Sequence, residues 1–139
     1  MAREPRGGFL TTMAVLFGLL TVSNLTKALQ YARDPAVGGI VIFGVRAESI
    51  GANLFLGPLM AIVVGAYAYG IWKQRSWVAP LSIVYAFFVP LNLVLFWYRN
   101  LGPEIPPLGF LLVYLTIALG GSIGTALYLA YHPHKLDRA

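Results

Sequence analysis

The side chains able to do chemistry in this sequence are few, and most carry no charge. Asn24, Asn53 and Asn92 stand in otherwise apolar stretches, with Lys27, Arg46, Glu48 and Arg99 a few positions away along the chain. An amide in apolar surroundings either ties neighbouring segments together or offers donors and acceptors to a ligand. Counted inward at about 1.5 Å per residue, all three asparagines fall in the outer third of a membrane-spanning helix. Lys27, Tyr31, Arg46, Glu48, Arg99 and Glu104 lie just beyond them. Converging helix faces would turn this set into a polar pocket open to the outer leaflet or the outside. Without convergence the asparagines are interhelical glue, at about 0.6–2 kcal/mol per contact, and the charged residues snorkel to the interface. Arg46 and Glu48 are also placed to pair with Glu104 or Arg99 across the loops.

What is missing narrows the chemistry further. The chain has no cysteine, which removes thiol catalysis, disulfide exchange, iron–sulfur ligation and Cys-based zinc sites. Both histidines, His132 and His134, belong to the C-terminal tail. Haem held by two intramembrane histidines is thereby excluded, as is a His-based metal site in the bilayer; His-Pro-His reads as a solvated tail. No Asp, Glu, Lys, Arg or His occupies the middle of any apolar stretch. Ionisable groups buried in lipid mark proton relays, ion paths and catalytic centres, so a proton-coupled exporter or a carboxylate isomerase lacks its working group. No cofactor or metal is expected, the balance leans away from an enzyme, and no residue is singled out as catalytic.

The elements that must position these residues follow from composition. Of 139 residues, 58% are hydrophobic and only 11% charged, against roughly 25% charged in a soluble domain. The expected class is all-α: one polytopic four-transmembrane-helix bundle filling residues 1–139. A bilayer core of about 30 Å takes roughly 20 apolar residues in a helix. Four uncharged stretches qualify, Gly7–Thr26, Ser49–Trp72, Ser76–Tyr98 and Ile105–Tyr131, giving spans near 8–27, 48–72, 76–98 and 106–131. Trp72 and Trp77 flank Lys-Gln-Arg-Ser, which predicts a tight antiparallel hairpin of the second and third helices. Pro103, Pro106 and Pro107 precede the fourth, where a missing N–H has no helical partner to lose. The first span resembles a secretory signal, but no small-x-small site follows it promptly, so it is expected to stay as helix 1. Pro58 and Pro90 should bend the second and third helices.

Ala36–Val45 (AVGGIVIFGV) is apolar but too short to span. It reads as an interfacial or re-entrant piece, a short β-like excursion, or an early start of helix 2; Gly38, Gly39 and Gly44 favour a non-helical or partly inserted loop.

Net charge is +5, with the basic residues scattered between apolar blocks rather than in a stripe suited to nucleic acid. With both termini cytoplasmic, Arg3, Arg6, Lys73, Arg75, Lys135 and Arg138 fall inside, against Lys27, Arg33, Arg46 and Arg99 outside. That bias predicts a multi-pass cell-membrane protein with both ends in the cytoplasm.

Small residues let membrane helices approach closely. They recur here as Gly57, Ala61 and Gly65 on the second span, and as Gly120, Ser122 and Gly124 on the fourth. Packing within the bundle is one use; docking of the fourth helix on a partner or a second copy is the other.

In length and span count the chain resembles the small multidrug transporters, whose first-helix glutamate has no counterpart here. Arg46-Ala-Glu48 with Asn53 faintly resembles the Arg- and Glu-rich second helix of the four-helix eicosanoid- and glutathione-metabolising membrane enzymes. No residue role is carried over from either. Three functions are therefore expected to compete: a non-catalytic subunit packed within a larger membrane assembly, a lipophilic small-molecule or lipid binder or membrane enzyme with an outer-side polar pocket, and a homo-oligomeric channel or carrier. The lipid bilayer and a membrane-protein partner or second copy are the expected contacts.

Overall fold

The computed structural model describes residues 5–100 and 108–136; Arg3, Arg138 and the stretch holding Pro103, Glu104, Pro106 and Pro107 lie outside the described residues. Helix α1 (Gly7–Leu25) bends at Thr26 into a short α2 (Lys27–Arg33). A single 3₁₀ turn (Pro35–Val37) leads to strands β1 (Val41–Ile42) and β2 (Val45–Arg46). Then come α3 (Ile50–Trp72), α4 (Val78–Arg99) and a last helical rod. That rod consists of α5 (Leu108–Leu119), a π-helical turn (Gly120–Gly124) and α6 (Thr125–Tyr131). The chain is mostly helical, and four of its helices are long and apolar enough to cross a membrane.

Local chemistry accounts for the boundaries. The Thr26 hydroxyl donates to Val22 O and Ser23 O, the back-bonding that bends helices, and α1 gives way to α2 there. The α2 segment was not anticipated; it takes Lys27 out of the first span. Ser49 caps α3, its Oγ accepting from Ala52 N–H at 3.1 Å. Between α3 and α4 the chain reverses through Gln74 in the left-handed region, φ 52°, the tight turn that the two tryptophans marked.

Ala36–Val45 folds back as an antiparallel hairpin, pairing Val41 with Arg46 and Ile42 with Val45. The pure all-α expectation is corrected to that extent. β-Branched residues suit the pleated strands. The two-residue turn needs positive φ at both central positions, and Phe43 (48°) and Gly44 (77°) supply it. Gly44 also lies against the Leu95 backbone of α4, where a Cβ has no room.

The dense core occupies one half of the bundle. Leu10, Ala14 and Phe17 of α1 meet Val64, Tyr67, Ala68 and Ile71 of α3, with Val78 and Leu129 closing it. These sequence steps of three and four put each set on one helix face. Phe17 packs edge-on against Tyr67 (4.8 Å) and Tyr85 (5.5 Å). The same end is laced by hydrogen bonds. Arg6 donates to Trp72 O and stacks on the Trp72 ring, Gln74 Nε2 donates to Lys135 O, and Lys135 Nζ donates to Pro5 O. Both described chain ends and the α3–α4 turn therefore share one end, and the hairpin takes the other.

The α1–α3 seam stays tight along its length. Gly57 sits against Asn24 O, Ala61 is buried and Gly65 faces Thr21. By contrast α4 and the last rod bury few of their described residues, and a cavity opens between them and α1 towards the hairpin end.

One buried group is poorly served. The Tyr67 hydroxyl forms no hydrogen bond among the described residues; the neighbouring Ser82 and Thr125 hydroxyls donate to Ala79 O and Gly121 O of their own helices. An unsatisfied buried hydroxyl costs about 1–3 kcal/mol. Tyr67→Phe should therefore leave thermal stability of the solubilised protein unchanged or raised. A clear loss on melting would show that the hydroxyl is bonded.

Candidate functional site

Where the helices stand apart they enclose a cavity of about 610 Å³, within the usual range for small-molecule sites. One face of α1 and α2 lines it from Met13 through Phe17, Leu20 and Asn24 to Lys27, a rise of roughly 20 Å. Opposite stand Tyr85, Phe88, Val89 and Asn92 of α4, with Ile117, Ala118, Gly121 and Ser122 of the last rod. Met60 and Val64 of α3 form the floor, and Gly39, Ile40 and Val41 close the end nearest the hairpin. The walls are apolar for most of this length, and the polar groups gather at the hairpin end. The π turn helps make the space: Gly121 on the lining carries no side chain, and Ser122 is buried with its hydroxyl donating to Ala118 O.

Two asparagines hold the hairpin in place. Asn53 is fully buried; its Oδ1 accepts from Ile40 N–H at 2.9 Å, and its Nδ2 donates to Ala47 O and Ser49 O. Asn92 Oδ1 accepts from Gly44 N–H at 3.1 Å while Nδ2 donates to Val41 O at 3.2 Å. Each amide thus replaces ladder partners that two short strands cannot provide. Gly39 is wedged between Ala47 O and the Asn53 amide, with no space for a Cβ. Tyr31 donates to Glu48 O at 2.7 Å and anchors the far side.

Asn24 behaves differently. It is 8% exposed and lines the cavity, yet its amide bonds no described residue. Beside it, half-buried Lys27 donates to Gln30 Oε1 at 3.2 Å. Burial, and secondarily the positive charge of Arg46, hold the Lys27 amine below its usual pKa. The Arg46 guanidinium lies over Gly38 and 5.0 Å from the Phe96 ring centroid.

The candidate residues therefore separate. Asn24, Lys27 and Asn92 line the cavity; Arg46 does not, and is exposed beside Gly38, one residue from the lining residue Gly39. Asn53 serves the hairpin alone, and Glu48 offers only its carbonyl, its side chain being exposed. Arg99 is exposed at the end of α4, and Glu104 lies outside the described residues. On the last rod a Cβ at Gly120 would meet nothing within 4 Å among the described residues, whereas one at Gly124 would meet the Phe9 ring at 3.9 Å. Sequence reading missed Tyr85, Phe88 and Val89. Their steps to Asn92 of seven, four and three residues mark a single helical face and were readable.

Comparison with family models, curated proteins and solved structures finds no match for this chain. The site is therefore read from its own geometry.

Two outcomes follow. Asn53→Ala strands a buried N–H and C=O, which should cost about 1–3 kcal/mol; limited proteolysis should then cut residues 36–48 faster than in the wild type, and equal rates would count against the clamp. Removing a like charge favours the ammonium form, so Arg46→Gln should raise the Lys27 pKa towards the ordinary lysine value. NMR titration of ¹³C-methylated lysines measures this, and no change would separate the two charges.

Proposed function

We propose that this is a multi-pass membrane protein, with both chain ends on the cytoplasmic side, that holds an elongated lipophilic ligand between its helices. The observation that carries the reading is the cavity itself: about 610 Å³, apolar along its length and polar at one end. Exposed apolar side chains such as Phe55 (71%), Ile62 (70%) and Phe87 (75%) support a lipid environment for the outer faces, since water-facing surfaces rarely carry contiguous apolar patches of that extent. The gap between α4, the last rod and α1 gives a chain-like molecule a lateral way in from the bilayer. No catalytic group is assigned, and binding is the activity proposed.

A second reading keeps one observation on its side. The sparse burial of α4 and of the last rod suits a subunit whose faces are covered by another membrane protein. Native mass spectrometry of the gently solubilised protein separates the two. The binder reading expects a complex with a neutral long-chain alcohol, oleyl alcohol, in the wild type and its loss in Ala118→Phe, which fills the apolar middle of the cavity. A wild type that takes up no alcohol, or a variant that takes it up equally, overturns the cavity reading. A foreign chain in the complex in place of a ligand supports the subunit.

A further inference from the structure

The polar end of the cavity carries charge of one sign. Lys27 lies on its wall and Arg46 stands close enough to influence Lys27 electrostatically. Neither forms an ion pair among the described residues, and Lys27 spends one donor on the neutral Gln30 amide. Asp34, the acid nearest Lys27 in sequence, caps Ala36 N–H at 3.0 Å and is exposed, and Glu48, two residues from Arg46, is exposed and forms no ion pair among the described residues. Half-burying an ammonium beside a guanidinium with no carboxylate is unfavourable, and a bound anion would reverse that cost. Next to Lys27, Asn24 is more than nine-tenths buried as a residue and lines the same space, and its amide has no partner among the described residues. Buried amides are almost always hydrogen-bonded.

We propose that the cavity takes an anionic acyl amphiphile, with its carboxylate or phosphate between Lys27, Arg46 and the Asn24 amide and its chain running down towards Tyr85 and Ala118. The proposal rests on the binder reading and adds the charge and orientation of the ligand. An ammonium and a guanidinium give charge-assisted hydrogen bonds to either anion. The Asn24 amide donates through its NH₂, and its carbonyl remains for a headgroup hydroxyl. The roughly 20 Å of apolar wall between Met13 and Lys27 matches an extended hydrocarbon chain rather than a compact ring system. The ends agree in direction: the charged groups lie at the hairpin end, where a lipid headgroup sits when its tail lies in the bilayer.

The test compares three probes of equal chain length, oleate, oleoyl lysophosphatidate and oleyl alcohol, on the full chain in mild detergent, with affinities read by tryptophan fluorescence and native mass spectrometry. At least one anion should bind about tenfold more weakly to Lys27→Gln and to Arg46→Gln, with alcohol binding unchanged. Lys27→Arg should keep wild-type affinity, which separates charge from folding. The anion with the larger loss identifies the headgroup class. Equal affinity of both anions for wild type and Lys27→Gln overturns the anionic assignment, and the cavity reading survives if the alcohol still binds and Ala118→Phe still abolishes it. Failure of all three probes on the wild type overturns both.

Discussion

The arrangement depends on how backbone amides are satisfied where the chain leaves its helices at the end of an apolar bundle. A helix bonds its own N–H and C=O groups, but a two-stranded hairpin of four paired residues cannot, and in apolar surroundings each unmet group is costly. Asn53 of α3 and Asn92 of α4 supply the missing partners at Ile40, Gly44, Val41, Ala47 and Ser49. Because the two amides come from different helices, the hairpin ties α3 to α4 at the end where direct packing between them is thin. Gly39 and Gly44 let the backbone approach closely enough for this.

From this constraint the two-ended character of the molecule follows. At the end shared by the chain termini, Leu10, Phe17, Tyr67, Ile71 and Leu129 pack densely and Arg6, Gln74 and Lys135 lace the rim. At the other end the hairpin acts as a strut and helices diverge beneath it. The space so opened is bounded by apolar side chains, while the amide and the cations at its mouth come from the α1–α2 bend and from β2. Hairpin-holding asparagines and cavity-lining polar groups are thus neighbours in separate settings. Asn53 is spent on backbone, Asn92 is shared between hairpin and cavity, and Asn24 is unspent.

Much of this was legible in the residues. Four uncharged stretches foretold four long apolar helices, and the glycines of Ala36–Val45 foretold a break from helix. Two-residue strands carry too little alternation to announce themselves, so the hairpin had to be seen. The importance of Asn24, Asn53 and Asn92 was visible from their isolation among apolar neighbours, but their division of labour was not. An asparagine that binds a loop and one that faces a ligand look alike in sequence, because the difference lies in which backbone passes within about 3 Å. The α2 bend depends on a threonine back-bond and the π turn on a Gly-Gly-Ser-Ile-Gly run that equally suits a straight GxxxG helix. In both cases local chemistry permits two backbones and tertiary packing selects one.

The central claim is that an asparagine-held hairpin closes the polar end of an interhelical cavity. Amide hydrogen exchange of the wild-type protein in lipid nanodiscs tests it most directly. The Ile40 and Gly44 amides, bonded to Asn53 and Asn92, should exchange far more slowly than those of the exposed Ala36–Val37 turn. Slow exchange there, approaching that of the α1–α3 seam, is the predicted result. Exchange of Ile40 and Gly44 as fast as the turn would contradict the clamp, and with it the closed polar end on which the proposed ligand site rests.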